Sequence, residues 1–221
     1  MGKNKKILFG LWGAVILIAI FFVYTYIQLP TASNSKSKIV HVSFDDVYLC
    51  LKDLKDTLRY TSIFQHPFFE SLKELHDDYG AVFSLYVYES ANDFVITEVP
   101  NKFRTEFMEN SEWMKFGYHA IKPQFDEKKQ ALEFERSLSK VNNSISYWGG
   151  EASLAPCLRL HYYFADSSMI HVLKKHQIYR LLGADDRGRK SYNLNQQQSD
   201  SLYNQRTYIC DSIFIIKRIS E

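Results

Sequence analysis

Two adjacent carboxylates, Asp45 and Asp46, close a short run rich in β-branched residues, Ile39-Val40-His41-Val42-Ser43-Phe44. In an α/β protein, binding and catalytic groups collect where strands end and loops begin. Two acids at such a point can divide the work of hydrolysis, one ligating a metal while the other moves a proton. An acidic helix start would use the same dipeptide, because Asp caps free N–H groups and meets the positive end of the helix dipole. Polar groups recur just after other strand-like runs: His119, the segment Arg159-Leu160-His161, and the pair Asp185-Asp186. If those runs are neighbours in one sheet, these groups meet at one end of it. That convergence is the first argument for an enzyme.

The elements that must position them alternate. Ile39 to Phe44 reads as a strand, and Leu51 to Tyr60 as a helix. Pro67 to Tyr79 is a stronger helix: Pro stands near its start, and Phe68, Leu72, Leu75 and Tyr79 follow helical spacing. Gly80 stands where a helix commonly ends. Ala81 to Val87 is a nearly unbroken apolar run, the pattern of a strand buried on both faces. Phe103 to Lys115 reads as a helix, and Phe116 to His119 as a short strand or turn. Asp126 to Ser146 is the longest helix, with Phe134, Leu138, Val141 and Ile145 on one face. Leu158 to Tyr163 follows as a strand, Ser167 to His176 as a helix and Tyr179 to Leu182 as a strand. Asn193 to Asn204 reads as a loop or short helix, and Tyr208 to Ile219 as one or two strands. Alternation of this kind predicts an α/β fold with a mostly parallel sheet, open or closed into a barrel.

Lys3, Lys5 and Lys6 precede an uncharged run from Ile7 to Ile27. About 20 apolar residues span a bilayer as one helix, and leading basic residues hold their end in the cytoplasm. Residues 1–37 therefore read as a cytoplasmic stub, a transmembrane anchor and a linker. The remainder would lie on the extracytoplasmic side, at the cell surface or in the periplasm. A cleaved signal peptide is the alternative, with Thr31-Ala32-Ser33 as the candidate cleavage site, and the domain would then be secreted. Residues 38–221 fit one domain. The 27 Lys and Arg nearly balance the 25 Asp and Glu. Their signs are mixed along the chain, which gives no support for nucleic-acid binding. Cys50, Cys157 and Cys210 show no metal-knuckle spacing, and read as one disulfide plus one thiol or as three buried thiols. Asn142-Asn143-Ser144 matches the glycosylation acceptor pattern.

Val42-Ser43-Phe44-Asp45-Asp46 resembles the first motif of the polysaccharide deacetylase family, carbohydrate esterase family 4. That family folds as a distorted (β/α) barrel and removes acetyl groups from N-acetylated sugars with a bound divalent metal. The resemblance makes Asp45 the general base and Asp46 a metal ligand. Phe116-Gly117-Tyr118-His119 resembles the approach to the second motif and makes His119 the first metal histidine. Four residues on, where the family has another histidine, stands Pro123. Arg159-Leu160-His161-Tyr162 resembles the third motif, whose Arg orients the catalytic Asp through a charge-assisted pair. His161 takes that motif's proline position and would be the missing third ligand or the general acid; His41 is a weaker candidate ligand. Asp185 and Asp186 match the fourth motif in placement, and the late histidine that protonates the leaving amine has no counterpart.

The resemblance implies zinc as the metal, held by protein ligands with a position left open. It implies a polysaccharide or cell-envelope glycan as partner, with Trp113, Trp148, Tyr118, Tyr162 and Tyr163 placed to stack on sugar rings. Two other readings stay open. One is a catalytically inactive relative that binds glycan or a protein partner at the same cleft. The other is a metal hydrolase of related fold with a non-glycan substrate.

Overall fold

A computed structural model describes residues 40–56, 58–123, 130–184, 188–192 and 194–217. The predicted anchor and linker, and the pair Asp185-Asp186, lie outside them. Among the described residues no helix is long and apolar enough to cross a membrane.

The chain opens with β1 (His41–Phe44) and a short helix α1 (Leu49–Asp53). The expected helix to Tyr60 stops early, and Leu58, which would extend its apolar stripe, is exposed. A 3-10 turn leads to α2 (Pro67–Tyr79), which starts on Pro67 and ends at Gly80 with φ 65°. There follow β2 (Val82–Tyr88), a small hairpin of β3 (Ser90–Ala91) and β4 (Phe94–Val95), and helix α3 (Arg104–Glu109). β5 (Met114–Ala120) takes over the end of the stretch expected to be helical, because Met114 and Phe116 are buried on a strand paired to β2. Next come α4 (Gln130–Gly149), α5 (Ser167–Lys175), β6 (Arg180–Gly183), α6 (Gln196–Gln205), β7 (Thr207–Cys210) and β8 (Ile213–Lys217). Asn195 caps α6 through a reciprocal capping box with Gln198, the local reason a Gln- and Ser-rich stretch is helical.

β1, β2 and β5 form a parallel sheet in that order. β6 pairs parallel with β8, and β7 runs antiparallel to β8. Residues 154–158 stitch the two sheets together: Ala155 N–H donates to the Phe116 carbonyl at 2.8 Å, and Leu182 N–H donates to the Leu158 carbonyl at 2.7 Å. Gly117 sits at this seam. A Cβ there would stand 2.8 Å from Leu158 Cδ2 and 3.1 Å from Ala155 Cβ, closer than packed carbon atoms come. The fold is thus mixed α/β, and among the described residues no pairing closes the sheet into a barrel. The expected strand from Leu158 to Tyr163 is a single bridge at Leu158 and then a 3-10 turn, His161–Tyr163. Tyr162 and Tyr163 both take φ 54°, a left-handed backbone incompatible with extending the strand.

The predicted apolar face of α4, Phe134, Leu138, Val141 and Ile145, is in the core at no more than 1 % exposure, and Trp148 is buried beside it. Trp148 packs edge-on against Phe107 and Phe116. Four of the five aromatics expected to stack on sugar, Trp113, Trp148, Tyr118 and Tyr163, are buried; only Tyr162 is exposed. The glycosylation pattern falls within α4, where the Ser144 hydroxyl is buried and donates to the Lys140 carbonyl at 2.8 Å. The three cysteines are free thiols, with Cys50 buried and the other two partly so.

Glu89, directly after β2, is a buried carboxylate bonded by Lys140 at 2.9 Å and Arg136 at 3.3 Å from α4. Burial alone would raise its pKa, but the Ser137 hydroxyl together with the bonds and charges of these cations outweighs it and holds it below the ordinary value. The carboxylate therefore stabilises the fold above the unfolded pKa near 4.3, and this contribution is lost as pH falls through the folded value. Both cations are substantially exposed, so the expected loss in Glu89→Gln at pH 7 is about 1–2 kcal/mol. Urea midpoints of the two forms should converge between pH 5 and pH 3 (roughly the window set by that unfolded value), and a gap unchanged across it would refute the assignment.

Candidate metal centre

The site forms at the C-terminal ends of β1, β2 and β5. Asp45 and Asp46 precede α1 by several residues and do not begin it. Asp46 has φ 59°, a conformation that a non-glycine residue keeps only when its surroundings hold it. The holding groups are the Val47 N–H, which donates to the Tyr86 carbonyl at 3.0 Å, and the Tyr88 hydroxyl, which donates to Asp46 Oδ1. The turn separates the two carboxylates. Asp45 goes to Arg159, and Asp46 goes to a pair of histidines.

His119 lies where the β2–β5 register slips: Val87 pairs with Tyr118, but Tyr88 pairs with Ala120. His119 is the extra residue of this bulge, a device that re-aims a side chain at a sheet end. Its Nδ1 is 2.6 Å from the Arg159 carbonyl. A carbonyl only accepts, so Nδ1 carries the proton and Nε2 bears a lone pair. His161 sits at the 3-10 turn, and its Nε2 is 3.1 Å from the Pro123 carbonyl. By the same reasoning Nε2 donates there and Nδ1 bears a lone pair. His161 Nδ1 and His119 Nε2 then face one another at 3.1 Å. Two neutral imidazoles at that distance need a proton or a metal cation between the facing nitrogens.

Asp46 Oδ1 is 3.5 Å from His119 Nε2, and ligand atoms of Asp46, His119 and His161 all lie within 4.8 Å of one another. A tetrahedral ion with ligands near 2.05 Å separates neighbouring donors by roughly 3.3 Å. The donor chemistry and spacing therefore fit a divalent metal. Burial lowers the pKa of His119 below its ordinary value, against the opposing pull of Asp45, which favours the neutral imidazole a metal needs. His119 is 3 % exposed while Asp46 is 57 % exposed, so the triad has a dry wall and a wet mouth.

Arg159 is buried and serves both halves of the site. Its Nε donates to Asp45 Oδ1 at 2.6 Å, its Nη1 donates to Ser43 Oγ at 3.1 Å, and its carbonyl fixes the His119 tautomer. The guanidinium lies 5.5 Å from the Tyr86 ring centroid, a stacking contact that further restricts it. Asp45 stands 3.7 Å from His119 Nδ1, beside the triad.

All five residues singled out from the sequence (Asp45, Asp46, His119, Arg159 and His161) come together here. Pro123 contributes its carbonyl where the family pattern has a ligand. His41 points elsewhere, with Nε2 3.0 Å from Ser84 Oγ. Sequence reasoning missed Tyr88, whose ring contacts both His119 and His161. Its position at the end of an otherwise apolar strand was the available signal. The chain matches no family model, no curated protein and no solved structure.

Proposed function

We propose that this chain is a zinc-dependent hydrolase of the polysaccharide deacetylase type, on a distorted, open relative of the (β/α) barrel. It removes acetyl groups from an N-acetylated polysaccharide or cell-envelope glycan. The carrying observation is the pair of histidine ring nitrogens facing each other at 3.1 Å beside Asp46, with a separate Arg-paired carboxylate, Asp45, next to them. The N-terminal segment would anchor the domain outside the cytoplasm, where such glycans are found.

Asp46, His119 and His161 would hold the ion. When bound, zinc polarises an amide carbonyl and makes water more acidic. Arg159 engages Asp45 Oδ1, leaving Oδ2 to accept a proton from the attacking water. The His161 Nε2–H is committed to the Pro123 carbonyl and its Nδ1 to the triad, which favours the ligand role over the general-acid role. Asp45, protonated in the first step, is then the group able to return that proton to the leaving amine. Acetate and a free amino sugar result. The exposed Tyr162 ring, 4.0 Å from the His161 ring centroid, supplies a stacking surface at the mouth.

A second reading is an inactive relative that binds glycan or a protein at the same cleft, favoured by Pro123 and by the missing late histidine. The deciding experiment is elemental analysis of the full-length chain beside Asp46→Ala and His119→Ala, followed by acetate release from an N-acetylglucosamine oligosaccharide. Near-stoichiometric zinc lost in both variants, with acetate released by the native chain, supports the deacetylase. Zinc without acetate release favours the inactive relative or a non-glycan hydrolase. A native chain that takes up no divalent ion sinks the metal-dependent reading.

A further inference from the structure

We infer that Tyr88 is a positioning residue whose hydroxyl holds the Asp46 carboxylate in its ligating pose. This rests on the metal-centre reading above. Asp46 is the weakest-held member of the triad: it is more than half exposed and sits on a left-handed backbone. Left alone, such a carboxylate turns to water. The phenol donates to Oδ1, the same oxygen that faces His119 Nε2. One lone pair of that oxygen is thereby taken and another left for the ion.

The Tyr88 ring is itself packed on several sides. It is 1 % exposed, with its centroid 5.4 Å from the His119 ring and 5.8 Å from the His161 ring, both edge-on. Tyr48 packs on it from another side at 6.3 Å. A single buried residue thus touches all three members of the triad, two by packing and one by a hydrogen bond. Outer partners of this kind typically change metal affinity about 10- to 100-fold.

The test is the zinc dissociation constant of the full-length chain, measured by competition with a chromogenic chelator, for the native protein, Tyr88→Phe, Asp46→Asn and the double variant. Phenylalanine keeps the ring packing, and the exposed carboxylate rehydrates, so melting of the metal-free protein should not change. Tyr88→Phe should weaken zinc binding about 10- to 100-fold. The double variant should be no weaker than Asp46→Asn alone, because Tyr88 acts only through that carboxylate. Unchanged affinity in Tyr88→Phe, or losses that simply multiply in the double variant, would overturn the inference while leaving the metal site standing. Absence of zinc binding in the native chain would overturn both.

Discussion

On the proposed metal-centre reading, His161→Ala should weaken divalent-metal binding by more than about 100-fold, the upper range for losing even an outer partner. The reason lies in tautomers. The Pro123 and Arg159 carbonyls each hold one ring N–H, which leaves His161 Nδ1 and His119 Nε2 as facing lone pairs. Removing one deletes a ligand for the ion. The stabilisation gained on adding zinc should therefore disappear in His161→Ala. His41→Ala, outside the cluster, should bind zinc normally. Chelator titrations and melting curves with and without zinc decide the matter. Full zinc affinity in His161→Ala would assign the third ligand to another residue.

Arg159→Leu should separate catalysis from metal binding. The guanidinium positions Asp45, but His119 is fixed by the backbone carbonyl of Arg159, which the substitution keeps. On the proposed function, zinc content should stay near that of the native chain while acetate release falls about 100- to 10,000-fold, the usual contribution of general acid–base catalysis. Asp45→Asn should give a similar loss. Breaking a buried ion pair costs about 3–5 kcal/mol when one charge is stranded. In Arg159→Leu the stranded Asp45 is 32 % exposed and can rehydrate, so about 1–3 kcal/mol is expected. Loss of zinc together with activity would mean that the side chain holds the centre together, and unchanged activity would remove Asp45 as the base.

Several elements were legible because their causes are local. α2 announces itself through Pro67, helical apolar spacing and Gly80, and β2 through a continuous apolar run. The buried stripe of α4 follows from Phe134, Leu138, Val141 and Ile145. Asp45, Asp46, His119, Arg159 and His161 were legible too, because polar residues directly after strand-like runs are few. The misreadings share a different cause. The β3–β4 hairpin is too short for periodicity to reveal. The run from Leu158 to Tyr163 has strand composition, yet the chain leaves the sheet after one bridge and turns through two left-handed tyrosines.

By itself, then, the sequence determined which polar residues stand at the ends of β1 and β5, because residue type and local spacing are properties of the chain. Their division of labour was decided only by the tertiary structure. Asp45 and Asp46 are adjacent in sequence, but a φ of 59° sends one to Arg159 and the other to the histidines. The ligand role of His161 is favoured over the general-acid role because Pro123, 38 residues away, offers a carbonyl to its far nitrogen. Tyr88 joins the site only because a register slip brings His119 against it. Proton positions, lone pairs and ligand spacing depend on partners distant along the chain, and only folding makes those partners neighbours.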